Sequence, residues 1–252
     1  MIRRMNLRRV WRPVVVAMAC LVTLSIAAPA VEAYTGTADS ANARYVIATY
    51  QQMLGRDPDD AGLDLYLAKI AAGGDTSRET LAKTLLFGAE ASGREVDRAY
   101  RSILQRSAEP TGRSYWTGHL QNHDVLDLRV LLFSSDEYFN QSGGTNREWI
   151  RSLYVNVLER RPDPAGIQYW VSQANRGTER PLIVAGFYLG PESLGNRTDE
   201  YYQLVFGRPP STGERSAGAS IIATDGERGL YAKLWASDEL FEQFFDAAWG
   251  PR

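Results

Sequence analysis

The sequence predicts an all-α protein made of four tandem three-helix repeats that stack into one array. A similar stretch recurs four times, with its first tyrosine at residues 50, 100, 154 and 202. Apolar residues before and after each copy follow helical spacing, and no useful length of alternating strand pattern is present. Units of about fifty residues are too small to bury their own apolar faces, so they are expected to stack on one another.

Residues 1–33 are predicted to be a secretory signal peptide. Five arginines precede an apolar run over residues 14–28, and Val31-Glu-Ala33 resembles a small-residue cleavage site. A retained membrane anchor is the alternative, because the apolar run is near the lower length limit for spanning. We therefore expect a mature chain that begins at Tyr34 and is secreted or associated with the cell envelope.

Charge and cysteine content limit the class of protein. Loss of five arginines and Glu32 would move the formal charge from −2 to −6, which disfavours nucleic acid or anionic lipid as a partner. Cys20, the only cysteine, lies within the predicted signal peptide, so the mature fold must be held by its core rather than by disulfides.

Residues 34–43 are predicted to be a loose polar lead, followed by units over residues 44–95, 96–144, 145–196 and 197–252. The first helices of the first and third units share one apolar face pattern. It is formed by Tyr45, Val46, Thr49, Tyr50, Met53 and Leu54 in the first unit and by Trp149, Ile150, Leu153, Tyr154, Val157 and Leu158 in the third. The fourth unit is degenerate and is expected to be a terminal, capping repeat.

Each first helix is expected to end near an arginine and to be followed by a short loop and a second helix. Asp163-Pro164 is typical of an N-cap followed by proline in the first turn, and Asp59, Glu109 and Ser211 occupy similar places. Third helices are expected to begin at a Thr76-to-Glu79 capping box, at Asp124 and at Thr178, and short linking helices at Ser135 and Ser237.

The recurring positions are interpreted as structural. They are Tyr50, Tyr100, Tyr154 and Tyr202; Arg56, Arg106, Arg160 and Arg208; Gly62, Gly112, Gly166 and Gly213; Trp116 and Trp170; and Glu90, Glu137, Glu192 and Glu239. We expect each arginine to pair with the glutamate that follows it within its unit and to cap the carbonyl end of the first helix. The alternative is a row of arginines that binds anionic ligands.

At these residues the chain resembles a bacterial family known as domain of unknown function 4214. The segments Gly55-Arg56-Asp-Pro-Asp59-Asp-Ala-Gly62 and Arg161-Pro-Asp163-Pro-Ala-Gly166 carry the resemblance, together with Trp170. It covers about residues 44–245. The resemblance implies exported or surface-associated helical modules with some similarity to phycobilisome linker domains, and it brings no established reaction.

Other constellations favour simple interpretations. Asp57, Asp59 and Asp60 lack the spacing of a calcium-binding EF-hand loop, and His119 and His123 lack a third zinc ligand. We therefore expect no metal, no cofactor and no catalytic residue.

Tyr66, Trp116 and Trp170 are expected to pack in the core, although they could instead stack on sugars. The predicted function is a secreted, non-catalytic scaffold or binding module for a protein surface or a cell-wall glycan. A carbohydrate-binding module and a secreted hydrolase of unrecognised type are the alternatives.

Overall fold

The structure is a computed structural model that describes residues 37–249, with side chains described outside 37–40, 74–76 and 245–249. The predicted signal peptide lies outside the described residues. The helices are α1 (Thr37–Leu54), α2 (Asp60–Leu86), α3 (Ala89–Ala99) with a π-helical segment (Tyr100–Leu104), α4 (Pro110–His119), α5 (Val125–Ser134), α6 (Asp136–Gln141), α7 (Asn146–Val157), α8 (Pro164–Asn175), α9 (Arg180–Tyr188), α10 (Pro191–Phe206), α11 (Thr212–Trp235) and α12 (Asp238–Trp249). No strand occurs in this range, and the all-α prediction is confirmed.

Several helix starts follow the predicted capping chemistry. Asp59 and Asp163 accept a hydrogen bond at 2.7 Å from the backbone N–H of Gly62 and Gly166, and Asp124 accepts one from Leu126. Ser211 forms a capping box with Glu214. These bonds satisfy N–H groups that have no partner within the first helical turn.

Three predicted caps are wrong, one of which is the Thr76-to-Glu79 capping box, since these residues lie inside α2. The Glu109 side chain makes no capping bond and instead contacts Arg106, so proline alone marks the start of α4. Helix α9 begins after Glu179 rather than at Thr178.

Helix lengths differ from the predicted three-helix units in three places. Helix α1 begins at Thr37 rather than after a loose lead, and Ala41 and Ala43 from that lead are fully buried. Helix α2 is continuous through the Thr76 region, so the second and third helices of the first unit are joined. Helices α3 and α10 each cross a predicted unit boundary and link one unit to the next.

The units do not pack in chain order. One core combines the first unit with residues of the fourth, from Tyr45 to Leu86 and from Tyr201 to Phe244. The other core combines the second and third units, from Val96 to Tyr188. The fourth unit is therefore not a terminal cap, because its apolar face is completed by the first unit.

Matching contacts relate the two cores. The Tyr45 hydroxyl donates to the carbonyl of Trp235, whereas the Trp149 indole N–H donates to the carbonyl of Phe133. In the second and fourth units, Arg113 and Arg215 pair with Asp97 and Asp199. The chain thus resembles two copies of a two-unit module, of which one is assembled from the two ends of the described chain.

Among the described helices, none combines the length and the apolar character needed to cross a membrane.

Candidate functional site

The recurring tyrosine and arginine form one joint in every unit. The four tyrosines are buried, and the guanidinium carbon lies over the tyrosine ring at 5.6, 5.3, 5.0 and 5.4 Å from its centroid in units one to four. These distances fall in the range of cation–π contacts. The joint therefore fixes the end of each first helix against the loop that follows.

Each arginine also forms a two-point ion pair with the predicted glutamate. The Nη2 atoms of Arg56, Arg106, Arg160 and Arg208 lie 2.9, 2.8, 2.9 and 2.8 Å from the Oε2 atoms of Glu90, Glu137, Glu192 and Glu239. Hydrogen bonds from the guanidinium groups lower the pKa values of Glu90, Glu137 and Glu192. The predicted pairing is confirmed, and it joins the loop after the first helix of each unit to the first turn of a later helix.

The predicted cap of the first helix is wrong. In all four joints the arginine Nη1 donates to the carbonyl of the next residue in the loop, for example from Arg160 to Arg161 at 3.2 Å. The turn is instead closed by a residue with positive φ directly before each arginine. These residues are Gly55 (φ 62°), Gln105 (56°), Glu159 (54°) and Gly207 (66°).

The loop glycine serves the same joint in two units. A Cβ atom built on Gly166 would lie 2.2 Å from the Tyr154 hydroxyl, and one on Gly62 would lie 2.9 Å from that of Tyr50. At Gly112 the distance is an ordinary 3.5 Å, and at Gly213 no atom lies within 4 Å. The contact with the tyrosine ring, the ion pair with the glutamate and the close packing at the loop glycine favour a structural role for these arginines over anion binding.

The aromatic positions divide between core and surface. Tyr66 is buried, whereas Trp116 and Trp170 are half-buried and pack on the second core. Gly186 admits the Trp170 indole, since a Cβ there would lie 2.7 Å from the ring. The residues directly before the tryptophans, Tyr115 and Tyr169, are 64% and 57% exposed.

The two histidines form a small surface stack. Their rings lie 4.0 Å apart and nearly parallel, His119 Nε2 lies 2.9 Å from an Asp127 oxygen, and His123 Nδ1 donates to the His119 carbonyl. In the loop considered for calcium, Asp57 accepts from Gln51 and Asp59 caps α2. Within the described residues, no group of three or more His, Cys, Asp or Glu side chains is placed to hold a metal.

A buried charge cluster lies where the two cores meet, and sequence reasoning missed it. Glu227 on α11 accepts from Arg129 on α5 at 2.6 Å and from Arg197 on α10 at 2.5 Å, and Tyr201 donates to its other oxygen at 3.3 Å. Arg129 also reaches Glu95 on α3 at 3.3 Å. Burial opposes ionisation of Glu227, but the two arginine charges outweigh burial and hold its pKa well below the ordinary range.

Two cavities border this cluster, and both are lined by Glu95, Arg98, Arg129, Tyr201 and Glu227. The first, about 480 Å³ in volume, we call the basic cavity because Arg94 and Arg228 also line it. The second, about 110 Å³, we call the acidic cavity because Glu159 and Glu200 also line it. The two cavities thus differ in charge although they share one wall, and each draws its lining from both cores.

The acidic cavity bears on the hydrolase alternative. Shielding from water raises the pKa of Glu200 to about 7 although the residue is exposed at the rim, and the carboxylates of Glu159 and Glu227 add to the effect. Glycosidases use a protonated and an ionised carboxyl group of this kind. Here, however, both oxygens of Glu227 already accept hydrogen bonds, and the volume is below that of ordinary ligand pockets. The arrangement does not favour hydrolysis.

A sequence signal for the cluster exists. Arg129 interrupts the apolar run of α5, and Glu227-Arg228 precede the buried Leu230 in α11. A charge within an apolar helical face predicts a buried partner, because an unpaired buried charge is costly. The partner itself could not be chosen, since it depends on how the two cores meet.

Comparison with known proteins gives one match. The family model described as a domain of unknown function (DUF4214) matches residues 26–95 and 130–196, which is more than half of the chain. The matched segments contain the joints of the first and third units, whose loops carry the best motif copies. No curated protein and no solved structure matches the chain, and the similarity to phycobilisome linker domains stays a prediction.

Proposed function

The chain belongs to the DUF4214 family of domains of unknown function, and from this premise we propose that it is an exported, non-catalytic helical scaffold that binds cell-wall glycan. The proposal assigns the recurring arginines and glutamates to holding the units together. Binding is assigned to repeated side chains that the fold leaves exposed. The alternative partner, a protein surface, uses the same exposed residues and is distinguished by experiment.

One observation carries the proposal: two aromatic corners at the same place in the second and third units. Tyr115 with Trp116 and Tyr169 with Trp170 have ring centroids 5.3 and 5.1 Å apart and interplanar angles of 83° and 77°. A half-buried indole thus supports an exposed phenol ring in each corner. Exposed rings held in fixed orientation suit stacking on the apolar faces of sugars, and each tyrosine adds a hydroxyl for hydrogen bonding.

The corners are matched by an apolar position in the first unit. Leu65 precedes the buried Tyr66 and is 50% exposed. The same place in the repeat is therefore apolar and exposed three times, but aromatic only in the second and third units. Glycan stacking is accordingly assigned to these two units.

The test is co-sedimentation of residues 34–252 with purified peptidoglycan. The double variant Tyr115→Ser/Tyr169→Ser is expected to lose about tenfold in affinity, because two aromatic contacts contribute about 0.5–1.5 kcal/mol each. Leu182→Ser is the matched control, since Leu182 is 63% exposed on α9 of the third unit. If both variants bind peptidoglycan equally, the aromatic corners are not the glycan-binding site. If the wild type does not bind peptidoglycan but captures an envelope protein that the double variant does not capture, the partner is a protein surface.

Export is the second part of the proposal and rests on residues 1–33. Mass spectrometry of the protein from the producing cell is expected to find an N-terminus at Tyr34 in the medium or envelope fraction. A full-length chain that fractionates with the cytoplasm would refute export and leave the binding test unaffected.

A further inference from the structure

The basic cavity has the size and the mixed lining of a small-molecule site. Its volume of about 480 Å³ lies within the range of about 300–1,000 Å³ that ligand pockets occupy. Apolar side chains from both cores form part of the wall, among them Met53, Leu86, Val125 and Leu204. Such a wall favours a ligand with an apolar body.

Charge in the basic cavity is unbalanced. Four arginines but only two carboxylates line this cavity, and both carboxylates already form ion pairs. Glu227 binds Arg129 and Arg197, whereas Glu95 binds Arg98 and Arg129. The lining therefore has more guanidinium donors than its own carboxylates use.

Arg94 is the clearest donor without a close carboxylate of its own. Its nearest carboxylate contact is Glu90 at 3.9 Å, and Glu90 is already held by the two-point pair with Arg56. The Arg94 guanidinium lies against the backbone of Gly55, where a Cβ would be only 2.8 Å away. Gly55 thus allows a cation to lie at the wall of the cavity.

Arg228 is a buried arginine of the cavity lining whose hydrogen bonds go to backbone carbonyls. It is only 6% exposed, and its terminal nitrogens donate to the carbonyls of Leu86, Leu120 and His123 rather than to a carboxylate. Its Nε has no hydrogen-bond partner. Burial lowers the pKa of Arg228, although the charges of Asp124 and Glu95 oppose this effect.

A basic rim borders the cavity and shares Arg94 and Arg98 with it. Arg94, Arg98 and Arg101 follow one another at helical spacing along α3 and its π-helical extension, and they line a shallow depression beside the basic cavity. The neighbouring Asp97 is held by Arg113 at 2.8 Å, while Arg101 lies 3.9 Å from it. The rim therefore favours approach of negative charge.

We propose that the basic cavity binds a small amphiphilic anion, whose carboxylate or phosphate contacts Arg94 and Arg98 and whose apolar body lies against Met53 and Leu204. This inference is independent of the glycan-binding corners, since it concerns other residues at the junction of the two cores. The ligand could be a free acid or the headgroup region of an anionic lipid, and the shared chemistry is an anion next to hydrocarbon.

The test uses residues 34–252 with three small-molecule probes and one vesicle. Isothermal titration compares decanoate with decanol, which lacks the charge, and with acetate, which lacks the apolar body. Arg98→Gln is expected to weaken decanoate binding by about tenfold, the loss typical of one charge-assisted hydrogen bond. Arg151→Gln on α7 is the matched control, because Arg151 is also an exposed, paired arginine but does not line the basic cavity. Ala91→Phe is expected to block the cavity while circular dichroism stays unchanged.

Each outcome decides a question. Decanoate binding that depends on Arg98 and is lost in Ala91→Phe supports a free acid as ligand. Arg98-dependent co-sedimentation with phosphatidylglycerol vesicles, without decanoate binding, supports a lipid source. The proposal is overturned if neither probe binds, if decanol or acetate binds as tightly as decanoate, or if Arg98→Gln and Arg151→Gln have equal effects.

Discussion

Arg78 and Arg180 make the same three contacts in the two cores, although they belong to the first and third units. Arg78 binds the Ala236 carbonyl at 3.0 Å and Asp238 at 2.5 Å and lies 4.4 Å from the Phe241 ring centroid. Arg180 binds the Ser134 carbonyl at 3.0 Å and Asp136 at 2.8 Å and lies 4.4 Å from the centroid of Phe139. The first unit therefore docks on the fourth as the third docks on the second.

Substitution of Arg78 should cost more than substitution of Arg180. The Arg78 side chain is 5% exposed, against 31% for Arg180, so Arg78→Ala removes more packing and leaves a buried carbonyl unpaired. We expect losses in unfolding free energy of about 3 kcal/mol for Arg78→Ala and about 1 kcal/mol for Arg180→Ala. Urea denaturation measures both, and equal losses would contradict the difference in burial.

The residue before each joint arginine offers a test of backbone strain. Gln105 and Glu159 adopt a left-handed conformation that Gly55 and Gly207 adopt without strain. Gln105→Gly is expected to stabilise the protein by about 0.5–1 kcal/mol, and Gly207→Ala to destabilise it by about 1 kcal/mol. Steric overlap does not contribute to the expected destabilisation by Gly207→Ala, because no atom lies within 4 Å of a Cβ added there. Melting temperatures that move the other way would show that the turn is not strained.

The joint ion pair should contribute modestly, because it is partly exposed. Side chains of Arg160 and Glu192 are 39% and 43% exposed, so Arg160→Ala is expected to cost about 1 kcal/mol rather than the larger cost of breaking a buried pair. Arg160 lowers the pKa of Glu192 from its usual 4.5. The stabilisation is therefore present above about pH 4.5 and is lost as the pH falls through the lowered pKa. Urea denaturation of both proteins at pH 7 and pH 3 measures this, and an undiminished difference at pH 3 would contradict it.

Within one unit, much of the structure could be predicted from the sequence because the signals are local. The tyrosine and the arginine of each joint are six residues apart, and the capping aspartates precede the glycines whose N–H groups they bind. The glutamate is more distant, but it recurs at similar spacing in all four units. The arginine–glutamate pairing could therefore be predicted because it recurs in four units, whereas one such pair in a single unit would not have been recognised.

The order in which units pack could not be predicted by stacking consecutive repeats. A signal was present, since Ser135-Asp-Glu and Ser237-Asp-Glu mark the second and fourth units and are each followed by Phe139 or Phe241. This alternation indicates two kinds of unit, and each kind packs on the other. Whether the first unit meets the second or the fourth depends on contacts such as Tyr45 with Trp235, which are 190 residues apart.

The raised pKa of Glu200 predicts a pH dependence of stability at the junction of the cores. Shielding from water and the nearby carboxylates disfavour its charge, so its pKa is about 7 in the folded chain against 4.5 ordinarily. The unfolded chain then releases this proton at lower pH than the folded chain, and stability falls as the pH rises from about 4.5 to 7.

Glu200→Gln removes this loss, so the variant should melt above the wild type at pH 8 and together with it near pH 4.5. Glu242→Gln on α12 is the control, since Glu242 is exposed and lies outside both cavities. A Glu200→Gln variant that shows the same shift at both pH values would indicate that the carboxyl group titrates normally, because only a proton bound more tightly in the folded state makes the difference depend on pH.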